Sequence, residues 1–274
     1  MRKPPPVALI CAGKLTDGAL TRFRALPERL GPVMSTSRRL ASRVVNTLRA
    51  GYPASGYDAF EGCEVILLSV PDASAPGFVR ELARAGLNWT RTDWTRKSAI
   101  LCSTLLGSDV LTPLSALGAE TASICEVTGF DGRLFLAEGD RAAITAVRPL
   151  LEGRDVKIVS VPSGHKAFYL AAAACTGPLL TSVLICADEC LRLSGLGASE
   201  VSGILQVQAQ KTTRAFLNAG RKTYQEPADL ARQIAALRER KPAIGEFFEE
   251  STKLAGRMGR EGVGSRESGA GRKS

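Results

Sequence analysis

The chain reads as an α/β protein, with a mostly parallel sheet covered by helices and an all-helical domain after it. Two observations predict this. Strand-like and helix-like segments alternate through roughly the first 160 residues, the pattern of a parallel sheet built from strand–helix–strand units. Beyond Pro162 the strand signals stop, and only helical patterns remain.

Taken in order, apolar and β-branched runs predict strands at Val7–Ala12, Val33–Thr36, Val65–Val70, Ala99–Thr104, Thr121–Val127 and Lys157–Val161. Between them, Arg38–Ala50 places Leu40, Val44, Val45 and Leu48 on one helical face, and Ala75–Ala85 does so with Phe78, Val79 and Leu82. Leu134–Leu136, an acidic turn at Glu138-Gly139-Asp140, a helix over Arg141–Leu151 and the last strand form a further unit. Four helices follow, at Gly164–Leu193, Ala198–Ala219, Pro227–Arg240 and Pro242–Met258, with Ser194-Gly195 and Pro227 as stop and start signals. The expected organisation is a nucleotide-type domain over 1–162, a helical domain over 163–256 and a disordered Gly, Ser and Arg-rich tail over 257–274.

The 274 residues suffice for one large domain or two medium ones, and an apolar fraction of 45% supplies a core. Much of the net charge of +9 lies at the ends, and no basic motif is interleaved with aromatics, which argues against nucleic-acid binding as the main function. The seven cysteines contain no C-x-x-C pair and there is one histidine, so no metal site is expected, and the thiols read mostly as reduced, buried side chains. Prolines in MRKPPP stand where a signal peptide would need an apolar run, and reduced thiols lead one to expect a cytoplasmic protein. Phe168–Ala187 is as long as the ~20 residues a bilayer requires. It contains Thr176, Gly177, Pro178, Thr181 and Ser182 between charged flanks, and is read as a helix buried on all sides rather than a membrane span.

The segment Val7–Gly18 resembles a strand entering a phosphate-binding turn. A G-x-G-x-x-G turn uses its glycines for tightness, close backbone approach and helix packing. Here those slots hold Cys11, Gly13 and Thr16, so only the middle glycine is kept. An ordinary strand–helix turn would look the same.

Three further segments carry a resemblance: EVILLSVPD at Glu64–Asp72, ILCSTLLGSDVLTPL at Ile100–Leu114, and the pair Ala137–Leu151 with His165–Leu180. In order and spacing, with the first turn, they resemble the bacterial oxidoreductase-like family known as Rossmann-like and domain of unknown function 2520, over residues 5 to 256. The resemblance implies a Rossmann domain followed by a helical domain of the 6-phosphogluconate dehydrogenase C-terminal type, an NADP cofactor, a small-molecule substrate and a homodimer. The chain also departs from the family. Leu101, the pair Cys125-Glu126 and Leu170 occupy positions where relatives carry histidines, and Pro178 stands where they carry an asparagine. Imidazole is the side chain best suited to proton transfer near neutral pH, so relatives' chemistry is put in doubt.

Candidate cofactor contacts are Gly13, Lys14 and Leu15 at the first turn, where helix-start amides meet a pyrophosphate. After the second strand, Ser35 and Thr36 precede Ser37, Arg38 and Arg39; an acidic residue here would select NAD, whereas hydroxyls and arginines suit the NADP 2′-phosphate. A serine N-cap followed by exposed arginines fits equally. Val70, Pro71, Asp72 and Cys102 end two strands at the carboxyl edge, where such sheets bind ligands. Ser103 either orients a substrate carbonyl or caps the next helix. Lys166, three residues before Tyr169, is the candidate proton donor into a cleft between domains, against simple solvation at a helix start. Arg221 is a candidate contact for an acidic substrate group.

Two functions from different classes follow. One is an NADP(H)-dependent oxidoreductase acting on a small carbonyl or imine. The other is a catalytically degraded relative that binds a nucleotide or metabolite as a sensor or assembly component.

Overall fold

The protein is described from a computed structural model, over residues 5–12, 23–89, 93–151 and 155–264. Eight strands form one sheet: β1 Val7–Cys11, β2 Leu30–Met34, β3 Tyr52–Pro53, β4 Val65–Ser69, β5 Ser98–Cys102, β6 Glu120–Glu126, β7 Leu134–Gly139 and β8 Lys157–Val161. Their order is β3-β2-β1-β4-β5-β6-β7-β8. The first six run parallel, β7 is antiparallel to β6, and β8 follows β7 in parallel. The order reverses between β1 and β4, and that crevice is where doubly wound sheets of this order hold dinucleotides. The expected α/β class is observed, with the two-residue β3 as an additional edge strand.

Four helices of this part matter for the site: α1 Arg38–Leu48, α2 Ala75–Gly86, α3 Arg141–Val147 and α4 Lys166–Ala174. Alternation along β1 divides the core. Val7, Leu9 and Cys11 pack with Val44 of α1 and Ala143 and Val147 of α3 on one face. Ala8 and Ile10 pack with Val79 and Leu82 of α2, Leu111 and Leu114 on the other. A strand buried on both faces reads as a continuous apolar run, which is why VALIC has no polar alternation.

At Gly139 the last residue of β7 adopts φ +121°, and a Cβ there would run into the Thr121 carbonyl and come within 2.8 Å of Ala122 Cα. Only glycine lets β7 approach β6 so closely and then turn into Asp140, whose carboxylate accepts the Thr121 N–H at 2.7 Å.

Lys97 is buried at 4% exposure and donates to the carbonyls of Phe60, Glu61 and Cys63. Its ammonium lies 5.2 and 5.8 Å from the ring centroids of Trp89 and Trp94, which stack 5.2 Å apart.

The chain divides into two compact units, Met1–Ala172 and Ala173–Ser274. The first extends past the boundary expected at 162, because the start of α4 is bonded to strands of the sheet through Lys166. The second contains α5 Leu180–Leu193, α6 Ala198–Ala219, α7 Leu230–Arg240 and α8 Pro242–Gly264. Within it Lys241 pairs with Glu189 at 3.0 Å and Arg238 with Glu249. α8 continues to Gly264 rather than ending near Arg257, so the tail expected from 257 is helical over its first part; residues 265–274 lie outside the described residues.

One expectation is corrected. The helix Lys166–Leu193, interrupted by a π-helical turn at Cys175–Leu179 around Pro178, has a mean hydropathy of 1.9, yet only 6% of its most apolar window is buried. It is not wrapped on all sides by its own chain: Phe168, Leu179, Val183 and Ile185 are exposed, as are Phe216 and Leu217 of α6.

Candidate cofactor and active site

The carboxyl ends of β1, β2, β4, β5 and β6 lie along one edge of the sheet, with the β1/β4 switch point among them. Gly13, Lys14, Leu15 and Thr16 fall outside the described residues. At the end of β1 the Ala12 N–H donates to the Ser69 carbonyl at 3.2 Å. Cys11 is buried at 2% exposure, its thiol pushed up to about 11 by burial.

After β2, Ser37 is the N-cap of α1, its Oγ accepting the Leu40 N–H at 3.3 Å. The capping reading is therefore realised. It leaves Arg38 and Arg39 exposed at the first turn of α1, with neither in an ion pair among the described residues. Two cations beside a helix start, with no acid before them, make a surface for an anion.

At the ends of β4 and β5, Val70 is buried, Pro71 exposed and Asp72 half-buried. Ser103 Oγ donates to Asp72 Oδ1 at 2.5 Å and accepts the Leu106 N–H at 2.8 Å. Both strand-end segments are thus tied across one hydroxyl; the helical turn that follows, Ser108–Leu111, has Gly107 as its N-cap and no side-chain cap, so Ser103 holds a turn and does not cap that helix. Cys102 faces inward; burial pushes its thiol up to about 12, so it holds its proton and reaches the edge through its backbone alone.

Lys166 is the main correction at the site. It is not solvated at the helix start but 2% exposed. Its Nζ donates to the Ser103 carbonyl, to the Leu106 carbonyl at 2.8 Å and to Ser123 Oγ at 2.8 Å. An ammonium has three protons, and all three have acceptors. Burial holds its pKa below the ordinary lysine value, opposed by nearby acidic groups, the Glu138 and Asp72 carboxylates among them. As placed, Lys166 locks the loop after β5 against β6 and has no proton directed outward. Tyr169 is half-buried, and burial and nearby Cys125 raise its pKa, so its hydroxyl stays protonated.

Glu138, read from sequence as part of a turn, is a central residue of this cluster. It lies in β7 at 1% exposure and accepts from Lys166 N at 2.8 Å, Ser108 N at 3.1 Å and Ser108 Oγ at 3.3 Å. Burial would raise its pKa, but the amides of Lys166, Ser108 and Gly164 outweigh this and hold it low. The signal that could have found it is strand alternation: Leu134, Leu136 and Glu138 share one face. Among the described residues no group of three or more His, Cys, Asp or Glu side chains could hold a metal ion.

Strand order, switch point and following helices define a dinucleotide-binding type of α/β fold. No family model and no curated sequence matches the chain. Its likeness is to solved structures. A Bacteroides fragilis protein assigned as an NADP oxidoreductase is 13% identical, with a TM-score of 0.65 over 92% of this chain and 97% of that one. An imine reductase of Myxococcus stipitatus in complex with NADP+ is 17% identical, with a TM-score of 0.59 over 96% and 95%. A pyrroline-5-carboxylate reductase of Coxiella burnetii is 14% identical, with a TM-score of 0.50 over 94% and 98%. At these identities the likeness is one of fold, Rossmann-like with a helical domain after it.

Proposed function

We propose that this protein is an NADP(H)-dependent oxidoreductase acting on a small carbonyl or imine, of the Rossmann-like and domain of unknown function 2520 family. The observation that carries the reading is the end of β2. Exposed Arg38 and Arg39, with no acidic residue ahead of them, suit a 2′-phosphate and leave an NAD ribose without its usual carboxylate. Solved neighbours of the same fold with NADP+ support the cofactor. Gly13, Lys14 and Leu15 would meet the pyrophosphate, and Val70 to Asp72 with the backbone of Cys102 would line the edge beneath the nicotinamide. NADP(H) supplies the hydride when bound. The chain's part is to hold it: Ser103 fixes Asp72, and Lys166 fixes the loop carrying Ser103.

A second reading rests on one observation. With Lys166 fully engaged and Leu101, Cys125 and Leu170 at the family's imidazole positions, the described edge lacks an evident proton donor. That favours a sensor that binds cofactor without turning it over.

Titration of the purified protein with NADPH and NADH, followed by nicotinamide fluorescence, tests both. Tight NADPH binding with oxidation by keto acids, ketones or cyclic imines supports the oxidoreductase. NADPH binding without turnover across that panel supports the sensor, and no binding at millimolar cofactor overturns both.

The exposed apolar helix Lys166–Leu193 supports a homodimer, since a second copy would cover it. Sedimentation or light scattering giving a monomer refutes this, and recovery in the membrane fraction would favour a bilayer instead. Five buried, free cysteines support a reducing compartment such as the cytoplasm.

A further inference from the structure

Cys186 and Cys190 lie at i and i+4 on one face of α5, inside the helical unit and independent of the site above. Cys186 is buried and Cys190 is half-buried, and the two thiols are neighbours on that face. Cys190 also lines a cavity of about 590 Å³ together with Ser194, Gln233 and Phe248, so the pair is approached through Cys190.

Two sulfurs so placed can be joined by a disulfide or by a bridging ion, and geometry separates the alternatives. Residues four apart on a helix hold their Cβ atoms about 5–6 Å apart. A disulfide needs Cβ atoms about 3.5–4.5 Å apart, so forming one would distort the helix. A metal–thiolate bond is about 2.3 Å, so one ion can span sulfurs up to ~4.6 Å apart with the helix intact. Thiolates prefer soft ions, Cu(I) foremost, and two-coordinate binding needs no third protein ligand. We propose that Cys186 and Cys190 form a two-coordinate site for a soft, thiophilic monovalent cation of the Cu(I) class.

Binding replaces two protons: the ion and two thiols give one S–metal–S bridge and two released protons, with no change of oxidation state. Both thiols must lose a proton on binding, so affinity rises with pH.

The test uses the full chain, reduced and oxygen-free, titrated with Cu(I) against a chromophoric Cu(I) chelator. Wild type is expected to withdraw about one equivalent that Cys186→Ala and Cys190→Ala each abolish, while Cys175→Ser, at the exposed thiol, retains it. Far-UV circular dichroism establishes that the alanine variants fold. In parallel, phenylarsine oxide condenses with two thiols and releases water, and peptide mass mapping should place one phenylarsenic group across the pair. Unchanged Cu(I) uptake in the folded double variant overturns the proposal. So does ready formation of a Cys186–Cys190 disulfide with diamide in a protein that takes up no Cu(I).

Discussion

Lys166 meets Glu138 through its main-chain amide and not through its ammonium: Lys166 N donates to Glu138 Oε2 at 2.8 Å, while Nζ turns to two carbonyls and the Ser123 hydroxyl. Each buried charge is thus solvated by neutral dipoles. The carboxylate gathers the start of α4 and the Ser108 turn, and the ammonium gathers the segment after β5 and the middle of β6.

Replacing Lys166 by methionine leaves the Ser103 and Leu106 carbonyls and the Ser123 hydroxyl without their donor. The expected cost is about 3 kcal/mol, read from urea unfolding at neutral pH. The sign with pH follows from the lowered lysine pKa. Between the folded value and the unfolded value of about 10.4, the unfolded chain binds the extra proton, so wild-type stability rises with pH across that interval. Lys166→Met should lack this rise. An identical alkaline profile in the two proteins would refute the assignment.

Glu138→Gln tests the opposite sign. The folded carboxyl titrates below its unfolded value of about 4.3, so its contribution is present above that pH and lost as pH falls through the folded pKa. The variant should be less stable by about 1–3 kcal/mol at neutral pH, and the gap should narrow in acid. Equal stability at neutral pH would show that amides can serve there as well.

Gly139→Ala combines a left-handed backbone with a Cβ set against Thr121 and Ala122 of β6. Destabilisation beyond about 1 kcal/mol is expected in denaturant unfolding. A neutral result would mean that β6 and β7 separate at little cost.

Arg38→Ala and Arg39→Ala should each weaken NADPH binding by about tenfold or more, the loss of one charge-assisted hydrogen bond, and leave NADH binding unchanged. Parallel losses for both cofactors would place the 2′-phosphate elsewhere.

Much of the fold was legible because strands buried on both faces are written as unbroken apolar runs: β1, β4 and β5 lie within a residue or two of their expected bounds. β7 was less so. Its apolar pattern stops at Ala137, and the inward Glu138 looks like the beginning of a turn unless its partners across the fold are known. The same ambiguity misled at Lys166. A lysine at a helix start is ordinarily solvated, and its three acceptors come from residues 43 to 63 positions away. The long helix from Lys166 shows a different limit of local pattern. Hydropathy records that Val183 and Ile185 favour burial, but not whose atoms cover them.

The stacked pair beneath Lys97 has a practical consequence. Trp89 and Trp94 are the chain's two tryptophans, and both belong to the sheet-bearing unit. Intrinsic emission therefore follows that unit alone, quenched or shifted as indole meets indole and ammonium. A melt watched at tryptophan wavelengths is blind to the helices after Ala172, whose loss must be followed by ellipticity. If the two traces separate on heating, the halves unfold as distinct cooperative blocks.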